Sequence, residues 1–234
     1  YKRQPPEIWG EILKYSKPTP KTLLENLKDI TSFKYLKNDS TYLERDPFES
    51  NYKPLESERT LIKSVNLYDG LGNEYSNFDV LFDDGIIKEI GKDIVDNNAT
   101  IIDARGKWLT PGLIDIHSHM GVYPAPSVRT SSDGNEATSP NTAEVWAEHS
   151  VWSQDPQFSL ALKGGVTAFH VLPGSANLIG GRGVTVKNLQ RVTINSMKFP
   201  TAPHSLKMAC GENPKRVYGN RQQAPSTRMG NIAG

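Results

Sequence analysis

Two histidines one residue apart, His117 and His119, close the strand-like run Leu113-Ile114-Asp115-Ile116 that follows a turn-forming Pro111-Gly112. In an extended strand, side chains at i and i+2 point to the same side. The two imidazoles therefore project together from one strand end, the geometry that grips a single metal ion. Surface histidines also pair by chance; the turn and the run that precede this pair favour metal binding. Asp115 falls on the same side as His117 and reads as a packing or orienting residue.

The other candidate groups are less specific. His149, after Trp146 and Glu148 in a helix-like patch, reads as structural. His170 ends a strand pattern over 166–172, where it either packs in the core or faces the site and touches substrate. His204, between Pro203 and Ser205, is a further candidate for substrate contact. Cys210 has no base near it in sequence, so no nucleophilic role is expected. Residues 174–183 are glycine-rich but lack the spacing of a phosphate-binding P-loop. They read as a tight loop near the site mouth, with Asn177 and Arg182 as candidate substrate contacts.

The elements that must position these residues follow from pattern. Residues 1–57 form a polar arm and linker. Ile8, Trp9, Ile12 and Leu13, then Leu23, Leu24, Leu27 and Ile30, recur at helical spacing. The arm reads as docking on the main domain, with a lid as the alternative. Over residues 58–112, strand patterns at 60–65, 78–82, 86–90 and 100–104 alternate with Asp-Gly and Gly turns. From Leu113 onward a strand, a long Pro- and Ser-rich loop over 121–156, a helix end at 158–163 and a strand at 166–172 follow. Two more short strands are expected at 183–187 and 205–209.

The segment Pro111 to His119 resembles the opening of the catalytic barrel in the amidohydrolase superfamily of metal-dependent hydrolases. Gly164-Gly165-Val166-Thr167-Ala168 resembles the family's step into its second strand. The runs Leu172 to Gly181 and Leu206 to Gly219 are similar to an imidazolonepropionase-like and carbohydrate-esterase-family-9-like branch. The likeness covers roughly residues 60–234. It implies an α/β fold: the N-terminal half of a (β/α)8 TIM-like barrel over 113–234, preceded by a small β-sandwich subdomain over 58–112 and the helical arm. It also implies hydrolysis of non-peptide carbon–nitrogen bonds, such as cyclic amides or N-acyl groups, by metal-activated water. The cofactor would be a divalent metal, zinc first, as one or two ions held by His117 and His119. Lys207 matches the position where many members carry a carbamylated, metal-bridging lysine; Glu212 is the competing bridge and Lys187 a weaker alternative.

Size sets a limit on this expectation. A complete barrel of this type takes about 250 residues, and about 120 follow Leu113. The family's two further histidines and its acid–base aspartate would lie beyond Gly234. The expectation is therefore a fragment, or one part of an enzyme completed by the remaining half of the barrel from the same gene or another chain. The alternative is a degenerate, non-catalytic chain with a structural or binding role.

Composition narrows the partners. With 27 basic and 26 acidic residues the formal net charge is +1, so charge points to no nucleic-acid partner. No apolar run reaches the roughly 18 residues of a membrane span. A small-molecule substrate is the expected partner, and a homo-oligomer is compatible with this chain. Cys210 is the sole cysteine, so no intrachain disulfide forms. Asn38-Asp39-Ser40 and Asn98-Ala99-Thr100 read as chance matches to the glycosylation sequon. The chain opens at Tyr1 without a Met, which leaves a removed leader open beside a default cytoplasmic setting.

Overall fold

Alternating apolar and polar residues with few breakers make Thr60–Tyr68 (β1) and Glu74–Asp83 (β2) an antiparallel pair. The computed structural model describes residues 48–234; the helical patterns expected within residues 1–47, and the Asn38 sequon, lie outside the described residues. Ile86–Gly91 (β3) pairs antiparallel with β2, whereas Thr100–Asp103 (β4) and Trp108–Leu109 (β5) run parallel to β1. The sheet order is β3-β2-β1-β4, with β5 also on β1. A bulge between Ile62 and Val65 turns β1 over. Leu61 consequently packs with Leu81 and Ile94, while Val65 and Leu67 pack with Val80 and Ala104. Where a sandwich is expected, the described residues form this one sheet, with Ile86, Ile87, Ile101 and Ile102 exposed on it.

The second sheet carries the histidine pair. Leu113–Ser118 (β6) and Val166–Val171 (β7) are parallel, joined by the long loop and the helix Pro156–Lys163 (α1). This helix starts where Asp155, fully buried, accepts the Gln157 N–H at 3.0 Å and Pro156 supplies a preset φ. It stops at Gly164-Gly165, where Gly165 takes a φ of +88° that a side chain would resist. Phe158 of α1 packs on Phe169, Val171, Val184 and Val186, the sheet's outer apolar face.

The next strand departs from expectation. Ile179–Lys187 (β8) is longer than the expected 183–187 segment and runs antiparallel to β7; Ser205–Met208 (β9) is antiparallel to β8. The order is β6-β7-β8-β9, so three mutually parallel strands have one reversed strand among them. A parallel return needs a crossover of about a dozen residues or more. The short connection from Leu172 to Leu178 holds no helix, so β8 can only double back. The architecture is a mixed α/β half-barrel and not an all-parallel one. Glu212–Gly219 (α2) and Arg228–Ala233 (α3) follow. Among the described residues, no helix is long and apolar enough to cross a membrane.

In the first sheet, Asp79 is a buried polar anchor. Its carboxylate accepts from Lys63 Nζ at 2.7 Å, from Ser64 N at 2.8 Å and from Ile94 N at 3.0 Å. Burial pushes the carboxyl pKa up, but these three donors outweigh it and hold it below the ordinary value. A carboxyl depressed in the folded state stabilises the fold above its unfolded pKa, and that contribution is lost as pH falls through the folded pKa. Urea titrations should therefore show stability dropping below about pH 4, and Asp79→Asn should flatten that part of the profile. An unchanged profile in the variant would remove Asp79 from the acid response.

Candidate metal centre

β6 delivers His117 to the concave, polar face of the second sheet. His117 Nε2 lies 3.1 Å from Lys207 Nζ, which reaches in from β9. Lys207 is 7% exposed, so its four-carbon stem is buried and its amine ends against the imidazole. Burial pushes the Lys207 pKa down. The nearby Lys207 charge, then burial, then His119 lower that of His117. A neutral His117 accepting a hydrogen bond from Lys207 satisfies both shifts.

His119, just past the strand end, has Nδ1 at 2.9 Å from the Leu172 carbonyl oxygen. A carbonyl only accepts, so Nδ1 carries the proton and Nε2 is left with its lone pair. A carbonyl holding the far ring nitrogen in this way orients an imidazole for metal binding. The two rings stand edge to face, 5.5 Å between centroids. Asp115 Oδ1 accepts the His117 backbone N–H at 3.1 Å, an orienting contact of the kind expected for it. Two imidazole nitrogens and a buried amine fit part of a divalent-metal ligand set. Among the described residues, no group of three or more His, Cys, Asp or Glu completes it.

The competing bridges are elsewhere. Glu212 has a side chain 78% exposed and sits 3.8 Å from Lys215. Lys187 pairs with Ala168, whereas Lys207 pairs with Gly181 at the other end of β8, roughly 20 Å along the strand. The Lys187 amine lies over the Phe199 ring instead.

The candidate substrate contacts are also reassigned by geometry. Asn177 is buried, and its amide donates to Glu136 O and Thr142 Oγ1, both at 2.7 Å. Its Oδ1 lies 2.6 Å from Tyr218 Oη, which is 2.5 Å from Ser139 O as well. With its polar atoms engaged by protein, Asn177 ties the long loop to α2 and faces no open space. His170 engages Thr185 and Ser205 with its two ring nitrogens. The Arg182 guanidinium lies 4.5 Å from the Trp146 ring centroid, and His204 meets the same ring edge to face, 4.7 Å between centroids. Cys210 is exposed.

Beside the centre is a cavity of about 340 Å³, lined among others by Asp133, Asn135, Trp146, His149, Pro173 and Gly180. Gly180 also borders the Lys207 stem: a Cβ there would lie 3.5 Å from Lys207 Cγ. His149, expected to be structural, stacks edge-on against Phe48 and also lines this cavity. Tyr123 is a residue that sequence reading missed. Its ring meets His119 edge to face at 5.6 Å, and its hydroxyl accepts from Asn135 Nδ2. Its place four residues after His119, at the mouth of the site, was the available signal.

No family model matches the chain. It is 37% identical over 174 residues to the amidohydrolase tasK of Hapsidospora irregularis, covering 69% of this chain and 18% of that protein. A dihydroorotase of Thermoanaerobacter sp. is 39% identical over 79 residues, 34% of this chain and 18% of its own length. The crystal structure of an amidohydrolase from Thermotoga maritima MSB8 aligns with TM-score 0.69 and 42% identity, over 75% of this chain and 45% of that one. The matched part of this chain belongs to the amidohydrolase superfamily. The chain spans less than a fifth of these two curated relatives and under half of the solved structure.

The buried Asn177 knot gives a direct check on scaffold against substrate roles. Tyr218→Phe removes the hydroxyl that serves Asn177 Oδ1 and Ser139 O, and should cost about 1–3 kcal/mol of unfolding free energy. Metal content should stay at the wild-type level. Metal loss without a drop in stability would place the knot inside the site.

Proposed function

We propose that this chain supplies part of a metal-dependent hydrolase of carbon–nitrogen bonds other than peptide bonds, with cyclic amides as the leading substrate class and N-acyl groups as the neighbouring one. The observation that carries the reading is the convergence of His117 and the buried Lys207 amine at 3.1 Å, from strands that are not neighbours. The amidohydrolase and dihydroorotase names of the relatives support the bond type.

His117 and His119 would hold a divalent metal, zinc first, through ring nitrogens whose orientation the chain fixes. Such an ion, when bound, lowers the pKa of its water toward about 7 and acts as a Lewis acid toward the substrate carbonyl. The Leu172 carbonyl keeps the His119 proton on Nδ1. Burial pushes the Lys207 pKa down, the direction that favours the neutral amine able to add CO2. The nitrogen lone pair attacks carbon, one proton leaves, and a carboxylate ends the side chain. That change replaces a cation that would repel a metal with an anion that binds one. The cavity shares Gly180 with the surroundings of the Lys207 stem, and its volume lies in the range of small-molecule sites.

The remaining ligands and the acid–base group would come from the other half of the barrel, from the same gene or another chain. Among the described residues, β6 pairs with β7 alone and β9 with β8 alone, which leaves two sheet edges for it. Leu113, Ile114 and Ile116 are exposed on β6, an apolar row suited to cover by further strands and helices.

Metal analysis and hydrolysis of dihydroorotate, a hydantoin and an N-acyl amino acid, all on the assembly with its complete barrel, test the reading. Zinc bound at one or two equivalents should be lost in the His117→Ala, His119→Ala double variant, together with at least a 100-fold loss of activity. Intact mass should show one CO2 added, absent in Lys207→Ala. A metal-free, inert complete assembly would sink the hydrolase and leave a non-catalytic chain.

A further inference from the structure

His170 sits on the same concave face as the metal centre, yet it does not line the cavity. Its Nδ1 is 2.9 Å from Thr185 Oγ1, its direct partner across β7 and β8. Its Nε2 is 2.7 Å from Ser205 Oγ on β9, two strands away. Strands are spaced about 4.8 Å apart, so this ring spans the full width of β8. The gap is kept open at Gly183, the register partner of Ser205. A Cβ at Gly183 would lie 2.6 Å from Ser205 Oγ and 2.6 Å from Leu172 Cδ2, closer than atoms can pack. Ser205 and Lys207 are i and i+2 on β9 and therefore share a face. Whatever fixes Ser205 fixes the base of the Lys207 side chain.

We propose that His170 is a positioning residue that locks β9 against β7 through Ser205, and so holds the Lys207 amine in reach of His117. The inference rests on the metal reading of that pair. Half-burial, together with the nearby His117 and His204, lowers the His170 pKa and keeps the ring neutral. A neutral imidazole has one donor and one acceptor nitrogen, and hydroxyls such as Thr185 and Ser205 can answer either. The lock is thus satisfied without a charge beside the metal ligands. Gly183 leaves Ser205 Oγ in place for this contact, since a Cβ there would collide with Ser205 Oγ and Leu172 Cδ2.

The test uses the complete assembly, with wild type, Ser205→Ala, His170→Phe and His170→Gln. Bound metal per chain, the visible spectrum of the cobalt-substituted protein, and kcat and KM are read separately. Ser205→Ala is a small change that keeps the fold testable if His170→Phe does not fold. Expected is a roughly 10- to 100-fold fall in kcat with KM little changed, an altered cobalt spectrum in Ser205→Ala and His170→Phe, and partial recovery in His170→Gln, whose amide can still bridge. Wild-type cobalt spectra and kcat in both Ser205→Ala and His170→Phe would overturn the positioning role while leaving the hydrolase reading intact. So would equal damage in His170→Gln and His170→Phe. A wild type that binds no metal overturns the hydrolase reading instead, a distinct result.

Discussion

The centre depends on curvature. β6 and β9 are separated by two strands, so in a flat sheet they would stand about 14 Å apart. Yet the ends of His117 and Lys207 are 3.1 Å from each other. Curling of the sheet toward its polar face, together with two long side chains, brings the first and last strands' groups together over that face. The outer surface, with Phe169, Val171, Val184 and Val186 packed on Phe158, fills the convex side and drives the curl by burying apolar area. Two consequences of one alternation are thus coupled: every second side chain builds the outer core, and the others converge as a site.

Buried polar groups hold the loops around this curved sheet. Asn188 donates to Phe158 O and Val166 O and ties the end of β8 to α1 and β7. Lys198 and Glu148 form an almost fully buried ion pair at 2.7 Å, joining the segment after β8 to the 3-10 turn Ala147–Ser150. Removing one partner of such a pair leaves a buried charge uncompensated, so the two residues constrain each other strongly. Residues 48–53 are strapped to the same region: Ser50 Oγ donates to Lys198 O, and Asn51 N to Asn195 O. The loop that carries the cavity wall is therefore ordered by internal bonds, which is what a long loop needs if it is to shape a pocket.

The legible part of this chain was what local pattern determines. The β6 strand, its histidine pair, the end of α1 at Gly164-Gly165 and the strands of the first sheet follow from period and turn chemistry alone. Lys207 came from resemblance, and the structure places it against His117 where spacing by itself could not. The reversal of β8 was written in the short stretch from Leu172 to Leu178, since a link without room for a helix forbids a parallel return. Asn177 was misread because a polar residue in a glycine-rich loop looks exposed; its burial depends on Tyr218 and Thr142, distant in sequence. The His170 bridge was hidden for the same reason, since it needs the register of three strands at once.

The Lys207–His117 contact bears directly on the proposed metal chemistry. An ammonium buried on a strand loses hydration and gains one imidazole lone pair in return, a poor exchange for a charge. The same amine in neutral form fits the site without that loss, and it is the form that can add CO2. A carboxylate on that amine would reverse the balance: the buried group would be an anion, and His117, His119 and the modified Lys207 would together favour a divalent cation. In that proposed chemistry the protein's contribution is to disfavour the cationic state, the direction in which burial pushes Lys207. Burial of the lysine stem by β8 and the glycine at 180 achieves this with no charged residue added, so the residues that tune the centre are ones that carry no chemistry of their own.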